Sequence, residues 1–129
     1  MTYEWVDHTS ELELRIDAAE EEDVFVDALE AYRELAAGAG EEAAYEIELS
    51  GSDRADLLAR WIDELVYLAD SRGFFPERVL ELEAGPASLR ATVAGREGEA
   101  SSTVKAVTYH DLAFGFDGSR WHARVVLDV

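Results

Sequence analysis

The sequence predicts an α+β fold, two helices packed against antiparallel-rich β-sheets in a single domain spanning residues 1–129. Three observations predict it. Apolar and charged residues alternate at both ends of the chain, through Leu12, Leu14 and Ile16 near the start and Trp121, Ala123, Val125 and Leu127 near the finish, which is the period of a half-buried strand. Two longer segments between them repeat apolar residues at helical spacing. The order is therefore β-α-β-α followed by a run of strands, the pattern of an α+β domain, and 129 residues suit one such unit.

Taken in order, Tyr3, Trp5 and Val6 mark a short segment before the first clear strand, in which Glu11, Glu13 and Arg15 take the outer face. The acidic run at 20–23 opens a helix, because negative charge suits the exposed amide end of the helix dipole. Its apolar stripe is Phe25, Ala28, Leu29, Tyr32, Leu35 and Ala36, and Gly38 and Gly40 are expected to end it. Tyr45, Ile47 and Leu49 alternate with Glu46 and Glu48 as another strand. Ser52 is the expected cap of a second helix, which buries Leu57, Leu58, Trp61, Ile62, Leu65, Val66 and Leu68 and stops at Arg72-Gly73. Pro76 and Pro86 are expected in or beside turns. Residues 79–83 and 89–93 read as strands and 95–102 as a polar connection. Residues 104–116 read as a long strand, Asp117-Gly118 as a hairpin turn and 121–127 as the return strand.

Composition narrows function. The chain carries 29 acidic and 11 basic side chains for a formal charge of −18, and residues 1–64 hold 20 of the acids against four arginines. A phosphate backbone would be repelled, so direct nucleic-acid binding is not expected; cations or a basic protein suit this field. Having no cysteine, the chain offers no disulfide, no thiol nucleophile and no cysteine-ligated zinc. No signal-peptide pattern opens the sequence and no apolar run is long enough to span a bilayer, so a cytoplasmic protein without membrane association is expected. Phosphate-cradling, nucleophile-elbow and zincin motifs are absent.

Three clusters stand out. Residues 7–11, Asp7-His8-Thr9-Ser10-Glu11, crowd two carboxylates, an imidazole and two hydroxyls at the entrance to a strand. Such residues organise turns through side-chain to backbone bonds, and they also suit a hard cation that prefers oxygen ligands. Asp128 ends the last strand on the face opposite its apolar residues; it gains meaning if it lies beside Glu11, because close carboxylates repel unless they share a proton or a cation. The third cluster, Lys105-Ala106-Val107-Thr108-Tyr109-His110, holds the only lysine in the chain, and alternation would send Tyr109 and His110 to opposite faces.

In this order the clusters resemble the archease family. Its D/E-H-T-A-D segment matches DHTSE at 7–11, its acid-x-x-x-L-L-x-x-W/F-L-x-E-L-L helix matches DRADLLARWIDELVY at 53–67, its K-A-V-T-Y-H strand matches VKAVTYH at 104–110, and its closing strand matches WHARVVLDV at 121–129. The resemblance implies a non-enzymatic accessory protein of an RtcB-type guanylating RNA ligase, which joins 3′-phosphate or 2′,3′-cyclic phosphate ends to a 5′-hydroxyl in tRNA splicing and RNA repair. It implies promotion of ligase guanylation and of multiple turnover. It further implies a divalent metal, calcium or alternatively magnesium or manganese, held by Glu11 and Asp128, with Asp53 as a third acid. Glu11 stands where the family usually has aspartate. Asp7, His8, Lys105 and His110 match other motif positions. The alternatives are a stand-alone calcium-binding or chaperone-like protein-interaction domain and, behind it, a small metal-dependent hydrolase.

Overall fold

The period-two segments pair antiparallel into two sheets. The computed structural model describes residues 2–8 and 10–129, with His8 as main chain only. Its elements are β1 (Thr2–His8), β2 (Glu11–Ala18), α1 (Glu21–Arg33), β3 (Ala36–Ser50), α2 (Arg54–Arg72), β4 (Phe74–Ala84), β5 (Ser88–Ser102), β6 (Ala106–Phe116) and β7 (Trp121–Asp128). One sheet has the order β1-β2-β7-β6 and the other β3-β5-β4. Each helix contacts both sheets. The core accordingly joins Leu14, Ile16, Val125 and Leu127 of the first sheet to Ile47, Leu89 and Val93 of the second through the helix side chains. The outer sheet faces are polar and largely exposed, as one-sided antiparallel sheets allow, save for Glu13 and Val126 of the first sheet, which are buried.

Trp61 sits at the centre, fully buried. Its indole Nε1–H donates to the Phe25 carbonyl at 3.0 Å, and the two rings meet edge to face at 6.2 Å. The buried donor is thus satisfied, as burial demands.

Several boundaries depart from the sequence reading. Helix α1 ends at Arg33, with Glu34 as its C-cap, and Ala36 already pairs with Ser102. The Leu35 carbonyl accepts the Thr103 N–H at 2.9 Å, so β5 captures the residues expected to extend the helix. Gly38 and Gly40 lie inside β3 and terminate nothing. Gly40 has φ 144°, and a β-carbon there would fall 2.1 Å from the Glu97 carbonyl oxygen; the glycine answers a close strand approach. The expected polar connection at 95–102 is the second half of β5, paired residue for residue with 36–43. Pro76 lies within β4 at a register shift, tolerated because β4 is an edge strand. The cap of α2 is Asp53, whose Oδ1 accepts the Asp56 N–H at 2.8 Å, while Asp56 Oδ2 accepts the Ser52 N–H at 2.9 Å. The two acids satisfy both amides reciprocally, in the manner of a capping box. Gly73 stops α2 in the left-handed region, at φ 64°, as read.

Candidate metal centre

The outer face of the first sheet forms a grid set by register. One row runs His8, Glu11, Asp128, Ala106 across the four strands; the next runs Val6, Glu13, Val126, Thr108. Glu11 and Asp128 are therefore direct partners on adjacent strands and project to the same face. Such pairs hold their β-carbons roughly 5 Å apart. The chain is knitted tightly around them, with Lys105 N–H donating to the Asp128 carbonyl at 2.8 Å and Val129 N–H to the Ser10 carbonyl at 3.3 Å. Ser10 turns the strand with φ 62°, so the turn between β1 and β2 delivers Glu11 to the sheet end. Both acids are half-buried.

The other sequence candidates are placed unevenly. The side chain of His8 and the whole of Thr9 lie outside the described residues. Asp7 pairs with Leu12, giving it the opposite parity to Glu11. Lys105 is exposed just before β6, next to Asp128 by its main-chain bond. His110 is exposed, with Nε2 3.1 Å from Asp111 Oδ2. Asp53 shares a recess with Pro86 and Phe114, and Phe114 pairs with Ala123, five residues along β7 from Asp128, a span of roughly 17 Å. The structure thus brings Glu11 and Asp128 together and does not bring Asp53 to them. Asp53 works as a helix cap. Its replacement by alanine is expected to lower stability by about 1 kcal/mol, equally with and without millimolar calcium in a thermal melt; a calcium-dependent difference would mark it as a ligand instead.

Three further acids, outside the sequence list, are held on β2 and α2. Glu13 lies one row in, buried at 4% exposure and ion-paired to Arg15. Alternation put it on the correct face, but nothing in the pattern signalled its burial. Asp63 of α2 accepts the Val107 N–H, and partial desolvation on this otherwise exposed side of the helix pushes its carboxyl upward. Asp56 accepts the Ser52 N–H, the Arg60 guanidinium and the Tyr109 hydroxyl, which together hold its carboxyl down at about 2. An open recess of about 690 Å³ on this sheet face lies over Arg15 and Arg124. That row is four residues along the strands from the carboxylate pair, roughly 14 Å away, so the recess is separate from it. Among the described residues no three acidic or imidazole side chains converge closely enough to form a metal cluster.

The break in β6 changes the third cluster. Thr108 pairs with Val126 and Ala113 with Arg124, so residues 109–112 bulge opposite a single residue of β7. Simple alternation no longer applies to Tyr109 and His110, and Tyr109 swings to α2.

Residues 3–129 match the model of the archease protein family (MTH1598/TM1083). The chain belongs to the archease family. Protein archease of Methanosarcina acetivorans is 31% identical over 139 residues, covering 98% of this chain and 95% of that protein. Protein archease of Methanopyrus kandleri is 29% identical, with 100% of both chains covered. The solution structure of Methanobacterium thermoautotrophicum protein 1598 has a TM-score of 0.70 at 27% identity, over 98% of each chain. A Thermotoga maritima crystal structure, described as an archease and possible chaperone, has a TM-score of 0.68 over 96% of this chain and 94% of that one; at 22% identity it bears on the fold alone. The two helices and two antiparallel sheets are thus the archease architecture. Among the described residues no helix is long and apolar enough to cross a membrane.

Proposed function

We propose that this archease-family protein is a cytoplasmic accessory factor, not itself an enzyme, that promotes guanylation and multiple turnover of a guanylating RNA ligase and carries a divalent cation between Glu11 and Asp128. The observation that supports this most directly is the pairing of Glu11 with Asp128 across β2 and β7. Two facing carboxylates are an all-oxygen donor pair that suits calcium, whose six to eight oxygen ligands sit at roughly 2.3–2.6 Å. With only two such side chains in the row, most coordination positions remain for main-chain oxygens, water or groups of a partner. A cation held there would supply positive charge to phosphate oxygens during nucleotidyl transfer. Glu11 and Asp128 hold it at the sheet end, while the formal charge of −18 favours a basic, phosphate-handling protein over RNA itself.

A guanylation assay of the cognate ligase, run with limiting and saturating amounts of this protein, tests the reading. The wild-type chain is expected to raise guanylated ligase and sustain turnover. The double replacement Glu11→Ala with Asp128→Ala is expected to abolish stimulation while leaving the melting profile folded and cooperative. Unchanged stimulation by that variant would remove the metal-centre mechanism. The acidic field and the carboxylate pair equally suit a second reading, a stand-alone calcium-binding or chaperone-like module. It requires protection of an unrelated client from thermal aggregation and no effect on the ligase.

A further inference from the structure

Helix α2 buries Leu57, Leu58, Trp61, Ile62 and Leu65 and leaves Arg60, Asp63 and Tyr67 exposed. Positions 56, 60 and 67 fall on one side of the helix. The bulge of β6 lies along this side: the Tyr109 hydroxyl donates to Asp56 Oδ1 at 2.9 Å, and Arg60 Nε donates to Asp56 Oδ2, also at 2.9 Å. Tyr109 is nevertheless 56% exposed, as is Tyr67. The bulge is pinned from its other side, where Arg124 Nε donates to the Asp111 carbonyl at 2.8 Å. Asp111 takes φ 57° there, a left-handed conformation unfavourable for a non-glycine residue.

A single exposed aromatic needs no explanation. Two tyrosines flanking an arginine, one of them tethered at its hydroxyl while its ring stays in solvent, have the composition and low ordering cost of an interface anchor. The bulge also blunts β6 as an edge for strand addition, so recognition here falls to side chains. Asp56 accepts from Tyr109, Asp63 and Glu64 share α2 with Tyr67, and Asp111 follows Tyr109 in the bulge; on a chain of charge −18 this calls for a basic partner. Along the main chain the surface lies near the carboxylate pair, since Ala106 pairs with Asp128 and stands three residues from Tyr109, roughly 10 Å along the strand.

We infer that the exposed side of α2 and the bulged edge of β6, with Tyr67 and Tyr109 as anchors about Arg60, form the surface on which the basic RNA-ligase partner docks. The inference rests on the function proposed above and specifies its interface.

Titration calorimetry of the cognate ligase with purified variants tests it. Tyr67→Ala with Tyr109→Ala is expected to weaken binding about 30-fold or more, while Tyr109→Phe, which keeps the ring, stays within about threefold of wild type. Leu80→Ala truncates an exposed apolar residue of β4, on the other sheet, and is expected to bind as wild type. Melting curves show whether the tyrosine variants remain folded; should the double variant unfold, Tyr67→Ala alone carries the test, because the Tyr67 side chain is largely solvent-exposed. If wild type binds and the tyrosine variant binds equally well, the surface assignment is overturned and the functional reading stands. Should wild type neither bind nor stimulate the ligase, the functional reading falls and takes this surface with it. Concentration-dependent dimerisation abolished by the tyrosine replacements, with ligase binding intact, would assign the surface to a second copy and overturn the inference.

Discussion

Replacing Trp61 by alanine is expected to destabilise the protein by about 4 kcal/mol, within the range for deleting a large buried aromatic. Trp61 is wholly buried, stacks edge-on against Phe25 and satisfies the Phe25 carbonyl. Alanine would leave a cavity between the helices and remove the one hydrogen bond that ties the α2 indole to the α1 backbone. Because domains of this kind are held by only about 5–15 kcal/mol in total, the loss is a large fraction of stability, and the melting temperature should fall by about 12 °C at the usual few degrees per kcal/mol. Trp61→Phe separates the two contributions. It restores most of the volume but not the donor, and should cost about 1–3 kcal/mol. Equal losses for the two variants in urea titrations would show that the hydrogen bond, not the volume, dominates.

A second large effect comes from Asp27, which α1 carries into the interior at 3% exposure. Its Oδ2 has no hydrogen-bond partner among the described residues. Burial, with the nearby charges of Asp23 and Glu30, raises its carboxyl to about 6. A folded-state pKa above the unfolded one means that this group's contribution to stability is full below about pH 4 and is lost as pH rises through about 6. From pH 4 to pH 8 the loss amounts to about 3 kcal/mol. Asp27→Asn removes the titration, so the difference in stability between variant and wild type should move in favour of the variant by about that amount over the same interval. Taking the difference is essential, because Asp56 has its carboxyl held low and its contribution runs the opposite way, lost as pH falls. Parallel pH profiles for the two proteins would show that Asp27 titrates alike in the folded and unfolded states and that its carboxyl is not raised by burial.

Much of this architecture was legible because the physics involved is local. The Trp121–Leu127 alternation assigned every β7 side chain to its face, and the apolar spacing from Leu57 to Leu68 described the buried side of α2. Glu11 and Asp128 were legible as acids at strand ends with outward parity. What local pattern could not convey was pairing. Gly38 and Gly40 carry the same signature whether they stop a helix or permit two strands to approach, and only the presence of β5 selects the second. Residues 95–102 contain no apolar alternation, since Gly95 alone of that stretch is buried; its extended form comes from hydrogen bonds to β3. Tyr109 obeyed no period because the insertion of residues 109–112 opposite Val125 is a property of two strands together.

The sequence by itself therefore determined the fold class, the acidic field, the family resemblance and the two carboxylates worth watching, since periodicity, charge and motif order are carried along the chain. Only the tertiary structure decided that Glu11 faces Asp128, that Asp53 is a helix cap at a distance from them, that Glu13 and Asp27 are buried, and that Tyr109 stands against α2. Those outcomes depend on strand register and helix placement, which are fixed by contacts between segments far apart in sequence and leave no mark on any one of them.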